Sequence, residues 1–131
     1  MGVSTDAILF FGLPFDSDKD ETPFEGFEEF VEEALNIKRA DYESYAVYSA
    51  ALQEACGNCE WDYHCHCDYP QLYIYHKNSR SVAWRGDPRS FSAALPIAKP
   101  EWTTDIKNFL SRLKIDIDDT RIGWYLASVW M

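Results

Sequence analysis

The sequence predicts a single α+β domain over residues 1–131, a small, mostly antiparallel sheet with about three helices packed on it. Three observations carry that expectation. Short apolar runs stand near both ends, three stretches place apolar residues at helical spacing, and the segment 71–85 alternates at the period of a strand. An apolar fraction of 47% and an aromatic fraction of 16% supply a core that a chain of 131 residues can close without staples.

Asp6–Gly12 (DAILFFG) reads as a buried strand that ends at a glycine and Pro14. The polar loop DSDKDE follows. Thr22-Pro23-Phe24-Glu25 then has the form of a helix start, with Thr as cap, Pro first inside and Glu three residues after the cap. Phe27, Phe30, Val31, Ala34 and Leu35 form its apolar stripe, which leaves Glu28, Glu29, Glu32 and Glu33 outside. A second helix is expected from Asp41, as cap, to about Ala55, with Tyr42, Tyr45, Ala46, Ser49 and Leu52 on one face. Its tyrosine density leaves a strand open as the alternative.

Gln71–Lys77 and Ser81–Arg85 alternate around Asn78-Ser79 and predict a hairpin. A third helix is expected over Pro100–Lys114, where Trp102, Ile106, Phe109, Leu110 and Leu113 share a stripe. Its acids lie early and its bases late, as the helix dipole favours. Ile122–Trp130 is almost continuously apolar, the pattern of a central strand covered on both faces. The order is β-α-α-(β)-β-β-α-β, the bracketed strand being the segment before Gln71.

Charge divides the chain. The formal net charge is −10; residues 1–70 carry 16 acids against 3 bases, and residues 71–131 carry 6 against 9. Such a field repels nucleic acid and anionic membrane, because phosphate binding needs clustered cations. It suits a basic protein partner or imitation of a nucleic-acid backbone, with solubility alone as the ordinary alternative. The apolar run Ala7–Phe11 is too short for a membrane or secretory segment, and four cysteines are far fewer than a disulfide scaffold uses. An intracellular, cytoplasmic chain with reduced thiols is therefore expected.

All four cysteines and two of three histidines fall in CGNCEWDYHCHC: Cys56, Cys59, His64, Cys65, His66 and Cys67. Thiolate and imidazole are zinc ligands, and C-x-x-C followed by C-x-C offers two pairs. Only five residues separate the pairs, where ribbons and fingers use about 12 or more. The catalytic variant reads His64, His66 and Asp68 as H-x-H-x-D on one strand face, with His76 approaching across a turn. That motif resembles the metal site of metallo-β-lactamase hydrolases over five residues only; Tyr69 stands where that family has its next His. The ordinary alternative makes the cysteines small buried hydrophobes and His76 a satisfied core histidine.

Other motifs fall short. Asp16, Asp18 and Asp20 open like a calcium loop, but Glu21 and Phe27 occupy the positions that need Gly and Glu. No phosphate cradle or nucleophile elbow is present.

Met1–Ala7, Ala83-Trp84-Arg85-Gly86, Pro100-Glu101-Trp102 and Gly123–Ser128 resemble a group of small bacteriophage accessory proteins. The resemblance implies a phage-encoded accessory chain, of a kind that commonly binds and inhibits a host or defence protein. It carries no catalytic residue. The leading expectation is thus a non-enzymatic protein-binding module in the host cytoplasm. Its contact surface is Glu28, Glu29, Glu32 and Glu33 with Asp16, Asp18, Asp20 and Glu21, and it needs no cofactor. The alternative is a zinc protein using Cys56–Cys67, either structural or as a small metal-dependent hydrolase.

Overall fold

A computed structural model describes residues 5–15, 26–66, 69–84, 86–88 and 99–130. The described elements follow the order β1 (Thr5–Pro14), α1 (Phe27–Leu35), α2 (Tyr45–Cys56), β2 (Cys59–His66), β3 (Tyr69–His76), β4 (Ser81–Ala83), α3 (Pro100–Arg112) and β5 (Gly123–Trp130). Short 3-10 turns at Arg39–Asp41 and Asp119–Arg121 precede α2 and β5. This is an α+β fold with a five-stranded antiparallel sheet. No helix among the described residues is long and apolar enough to cross a membrane.

β1 is the central strand. One edge pairs with β5 from Thr5↔Trp130 to Gly12↔Gly123. The other edge is shared, with β4 along Ala7–Leu9 and β3 along Gly12–Pro14. Ser79 bridges the step between them: the Phe11 amide donates to Ser79 Oγ at 3.0 Å, and that hydroxyl donates to the His76 carbonyl at 2.7 Å. Gly12 is required at this crossing, because a Cβ there would sit 2.0 Å from the Ile74 carbonyl oxygen.

The hairpin expected around Asn78-Ser79 is therefore not formed. Neither residue takes the positive φ that a two-residue hairpin turn needs, and both flanking segments bond to β1 instead of to each other. The actual hairpin is β2–β3, registered from Cys59↔His76 to His66↔Tyr69.

Alternation sorts the sheet into two faces. Phe11, Leu13, Leu72, Ile74, Cys59 and Trp124 turn toward the helices and join their apolar stripes in the main core. Ile8, Phe10, Tyr73 and Tyr75 form a second cluster on the far face, where Phe10 stacks on Tyr73 at 4.5 Å and on Tyr125 at 5.8 Å. β2 and β5 also approach one another, although two strands lie between them in the hydrogen-bonded order. A flat sheet would hold them ~14 Å apart. The sheet is therefore curled.

α3 matches the expected stripe, with Trp102, Ile106, Phe109, Leu110 and Leu113 all buried. α1 buries Phe27 and Val31, whereas Ala34 is exposed. The expected cap, Thr22–Glu25, lies outside the described residues; the helix as described follows Gly26 at φ 71°. Both α1 and α3 end in Schellman turns without glycine. Asn36 and Lys114 take the left-handed conformation, while Ile37 and Ile115 donate back to Glu32 and Leu110.

α2 departs further from expectation. Asp41 sits in the 3-10 turn, and the cap is Ser44, whose extended backbone lets its hydroxyl accept from the Val47 amide at 3.3 Å. The helix starts three residues later than expected and buries Tyr48, Leu52 and Cys56 in place of the Tyr45–Ser49 face, leaving Tyr45 63% exposed. β5 is also corrected. Among the described residues it pairs only with β1, and Leu126 is 68% exposed, so β5 is an edge strand and β1 holds the central position.

Candidate functional site

The four carboxylates of α1 occupy one surface but divide by environment. Glu28 and Glu32, a turn apart and half-buried, both accept from the hydroxyl of Tyr48 on α2, Glu28 at 3.1 Å. Burial, then the bond to Glu32 and the charge of Glu28, push the Tyr48 phenol far above its ordinary range. Arg39 covers the same ring, its guanidinium carbon 5.8 Å from the centroid. Glu29 and Glu33 are exposed and, with Asn36, Ile37 and Lys38, border a shallow hollow of about 250 Å³. Among the described residues none of the four carboxylates enters an ion pair, and α1 has no basic residue in its last turn. Asp16, Asp18, Asp20 and Glu21, expected to extend this surface, lie outside the described residues.

A second hollow, of about 320 Å³, opens between α2 and the start of β2. Leu52, Cys56, Cys59 and Trp61 contribute apolar surface to it, and Glu28 and Glu60 also border it. Sequence reasoning missed it, because it depends on where α2 lies against β2. The only local signal was an aromatic, Tyr45, one position beyond the cap Ser44.

The cysteine–histidine segment is split by the fold. Cys56 closes α2, Gly57-Asn58 turns the chain, and Cys59 opens β2, so these two thiols come to the same hollow. Both are buried and free. Burial pushes Cys56 up to about 11 and Cys59 up to about 12, with Asp105 adding to the rise at Cys59. Thiols held protonated in this way are poor nucleophiles. His64 lies five residues along β2 on the opposite face, its ring 6.0 Å from that of Tyr73 and its basicity lowered by burial. Five residues of strand span ~17 Å, so Cys59 and His64 cannot share one ion. β2 carries the backbone of Cys65 and His66, whose side chains, like all of Cys67, lie outside the described residues. Among the described residues no three His, Cys, Asp or Glu side chains converge as a metal site.

His76 pairs with Cys59 across the hairpin, far from His64, and is 2% exposed. Its Nδ1 accepts from the Asn78 amide at 3.3 Å, which leaves Nε2–H to donate to Asp105 at 2.9 Å. Asn58 donates to the same carboxylate oxygen at 3.0 Å, and the imidazole stacks on Trp102 at 5.0 Å. Cys59, His76 and Asp105 follow the order of a nucleophile, a base and its orienter. The chemistry is blocked, because both ring nitrogens are engaged and the thiol is held neutral. His76 is a satisfied core histidine, as the sequence suggested.

On the far face, Tyr75 donates to Glu60 at 2.8 Å, Arg80 lies 5.4 Å from the Tyr75 ring centroid, and Arg80 pairs with Asp62 at 3.3 Å. Among the described residues the buried Tyr73 hydroxyl has no hydrogen-bond partner. Compared with known protein families, curated proteins and solved structures, the chain matches none.

Proposed function

We propose that this chain is a non-enzymatic protein-binding module whose acidic α1 surface engages a basic surface on a host protein, as a phage-encoded inhibitor would. The observation that carries the reading is Glu29 and Glu33, exposed one turn apart with no ion pair among the described residues, in a half-chain of 16 acids and 3 bases. Like charges at i,i+4 oppose the helix by ~0.2–0.5 kcal/mol, a cost that cations of a partner would relieve. If the partner binds nucleic acid, the carboxylates imitate the phosphates it normally meets. The resemblance to phage accessory proteins supports the choice of a host target.

The test is affinity capture from a bacterial host lysate with the wild-type chain and with Glu29→Lys/Glu33→Lys. Wild type is expected to retain a defined basic protein that the double variant loses, with retention falling as salt rises. Equal capture by both chains, or retention indifferent to salt, would overturn this assignment.

A further inference from the structure

We infer that the hollow between α2 and the start of β2 seats an arginine side chain of the protein partner; the inference rests on the acidic-module reading and gives it a specific contact. The hollow is about 320 Å³, at the lower end of the roughly 300–1,000 Å³ of small-ligand pockets. Its lining includes Glu28, Tyr45, Leu52 and Trp61, and Glu60 borders it with its carboxylate bonded to Tyr75. Among the described residues no Lys or Arg lines it. A cationic head with a long apolar stem matches that lining at both ends.

The molecule itself shows which cation suits such a set. Arg39 lies over Tyr48, whose hydroxyl donates to Glu28 and Glu32. Arg80 lies over Tyr75, whose hydroxyl donates to Glu60. In both places a guanidinium covers a tyrosine that is tied to a glutamate. Tyr45 supplies the ring a third time: it is 63% exposed, 5.8 Å from Tyr48 and shares the hollow with Glu28. Glu28 uses Oε1 for Tyr48 and has no bond at Oε2 among the described residues. No bond ties Tyr45 to Glu28 among the described residues, so a guanidinium seated between ring and carboxylate would be the link. Arginine is preferred to lysine because its planar fork can stack on a ring and bond a carboxylate at the same time.

The test titrates octa-arginine, octa-lysine and octa-citrulline peptides into the protein by calorimetry, with circular dichroism confirming the fold of each variant. Wild type is expected to bind octa-arginine several-fold more tightly than octa-lysine and octa-citrulline least. Tyr45→Ala should weaken octa-arginine binding about tenfold, the loss of a stacked cation. Ser49→Arg, which fills the hollow with the chain's own guanidinium, should weaken it as much. Ser111→Arg on the exposed surface of α3 makes the same charge change and should have a far smaller effect. Octa-lysine binding as tightly as octa-arginine, or Ser49→Arg behaving like Ser111→Arg, overturns the inference. If Glu29→Gln/Glu33→Gln then weakens binding while Tyr45→Ala does not, the acidic surface stands and only the arginine seat falls. Insensitivity to both sets removes the two together.

Discussion

The two faces of the sheet bury aromatic residues by different means. Toward the helices, Phe11, Leu72, Ile74 and Trp124 meet α3 and α1, and His76, a polar strand residue buried there, has both ring nitrogens bonded. On the far face Phe10, Tyr73 and Tyr75 stack on one another inside a curled sheet, beside Glu60, Asp62 and Arg80. Polar groups on the helix side are satisfied by neighbours brought from other elements. On the far side they pair near solvent or, at the Tyr73 hydroxyl, find no partner among the described residues. The first face draws its stability from fit and the second from stacking with an adjustable polar margin.

The largest test of that difference is Trp102→Ala. Trp102 contacts Phe11, His76 and Trp124, so its removal opens a cavity at the junction of α3 and the sheet. Urea denaturation should show a loss of ~3–5 kcal/mol. Arg80→Ala, on the far margin with its side chain 30% exposed, should cost about 1 kcal/mol or less. Equal losses would dissolve the distinction. A smaller effect sharpens it by sign. Asp105→Ala deprives buried His76 of its acceptor and should cost ~1–3 kcal/mol, whereas Tyr73→Phe removes a hydroxyl with no partner among the described residues and should be neutral or slightly stabilising. A destabilising Tyr73→Phe would mean that the hydroxyl is satisfied in solution.

At neutral pH the smallest effect belongs to the thiols. Burial raises Cys56 to about 11 and Cys59 to about 12 from an ordinary 9.0, so the folded chain holds these protons more tightly than the unfolded chain. Their contribution is complete below pH 9 and is lost as pH rises through 11 and 12. A thiol reagent at pH 8 should leave both unmodified until urea unfolds the protein. Rapid labelling of the folded chain would show that the hollow exposes them.

Much of the fold was legible because its signals are local. The order of strands and helices followed from periodicity, and the α3 stripe from Trp102 to Leu113 was read residue by residue. What failed depended on distant pairing. Asn78-Ser79 looks like a turn, and it is one, but the ladder partners of both flanking segments are on β1. β5 has the composition of a covered strand although it lies at an edge, because composition reports apolar content and not neighbours. The α1 carboxylates were legible as a surface; that Glu28 and Glu32 turn to Tyr48 required knowing where α2 packs. The hollow beside Tyr45 was invisible for the same reason.

The central place of β1 also bears on how the chain reaches this state. β1 precedes its partners in the chain: among the described residues every ladder partner lies at residue 73 or later, and its longest ladder runs to Trp130. The β2–β3 hairpin can close within microseconds, while β1 waits for chain not yet synthesised. In that interval Ile8–Phe11 is an apolar segment of the kind that nucleates intermolecular pairing. Asp16, Asp18, Asp20 and Glu21 follow it after Gly12–Phe15 in sequence. Charges flanking an apolar strand oppose its pairing with a neighbour's strand, and these acids stand where that general effect would act on a strand whose own partners come later in the chain.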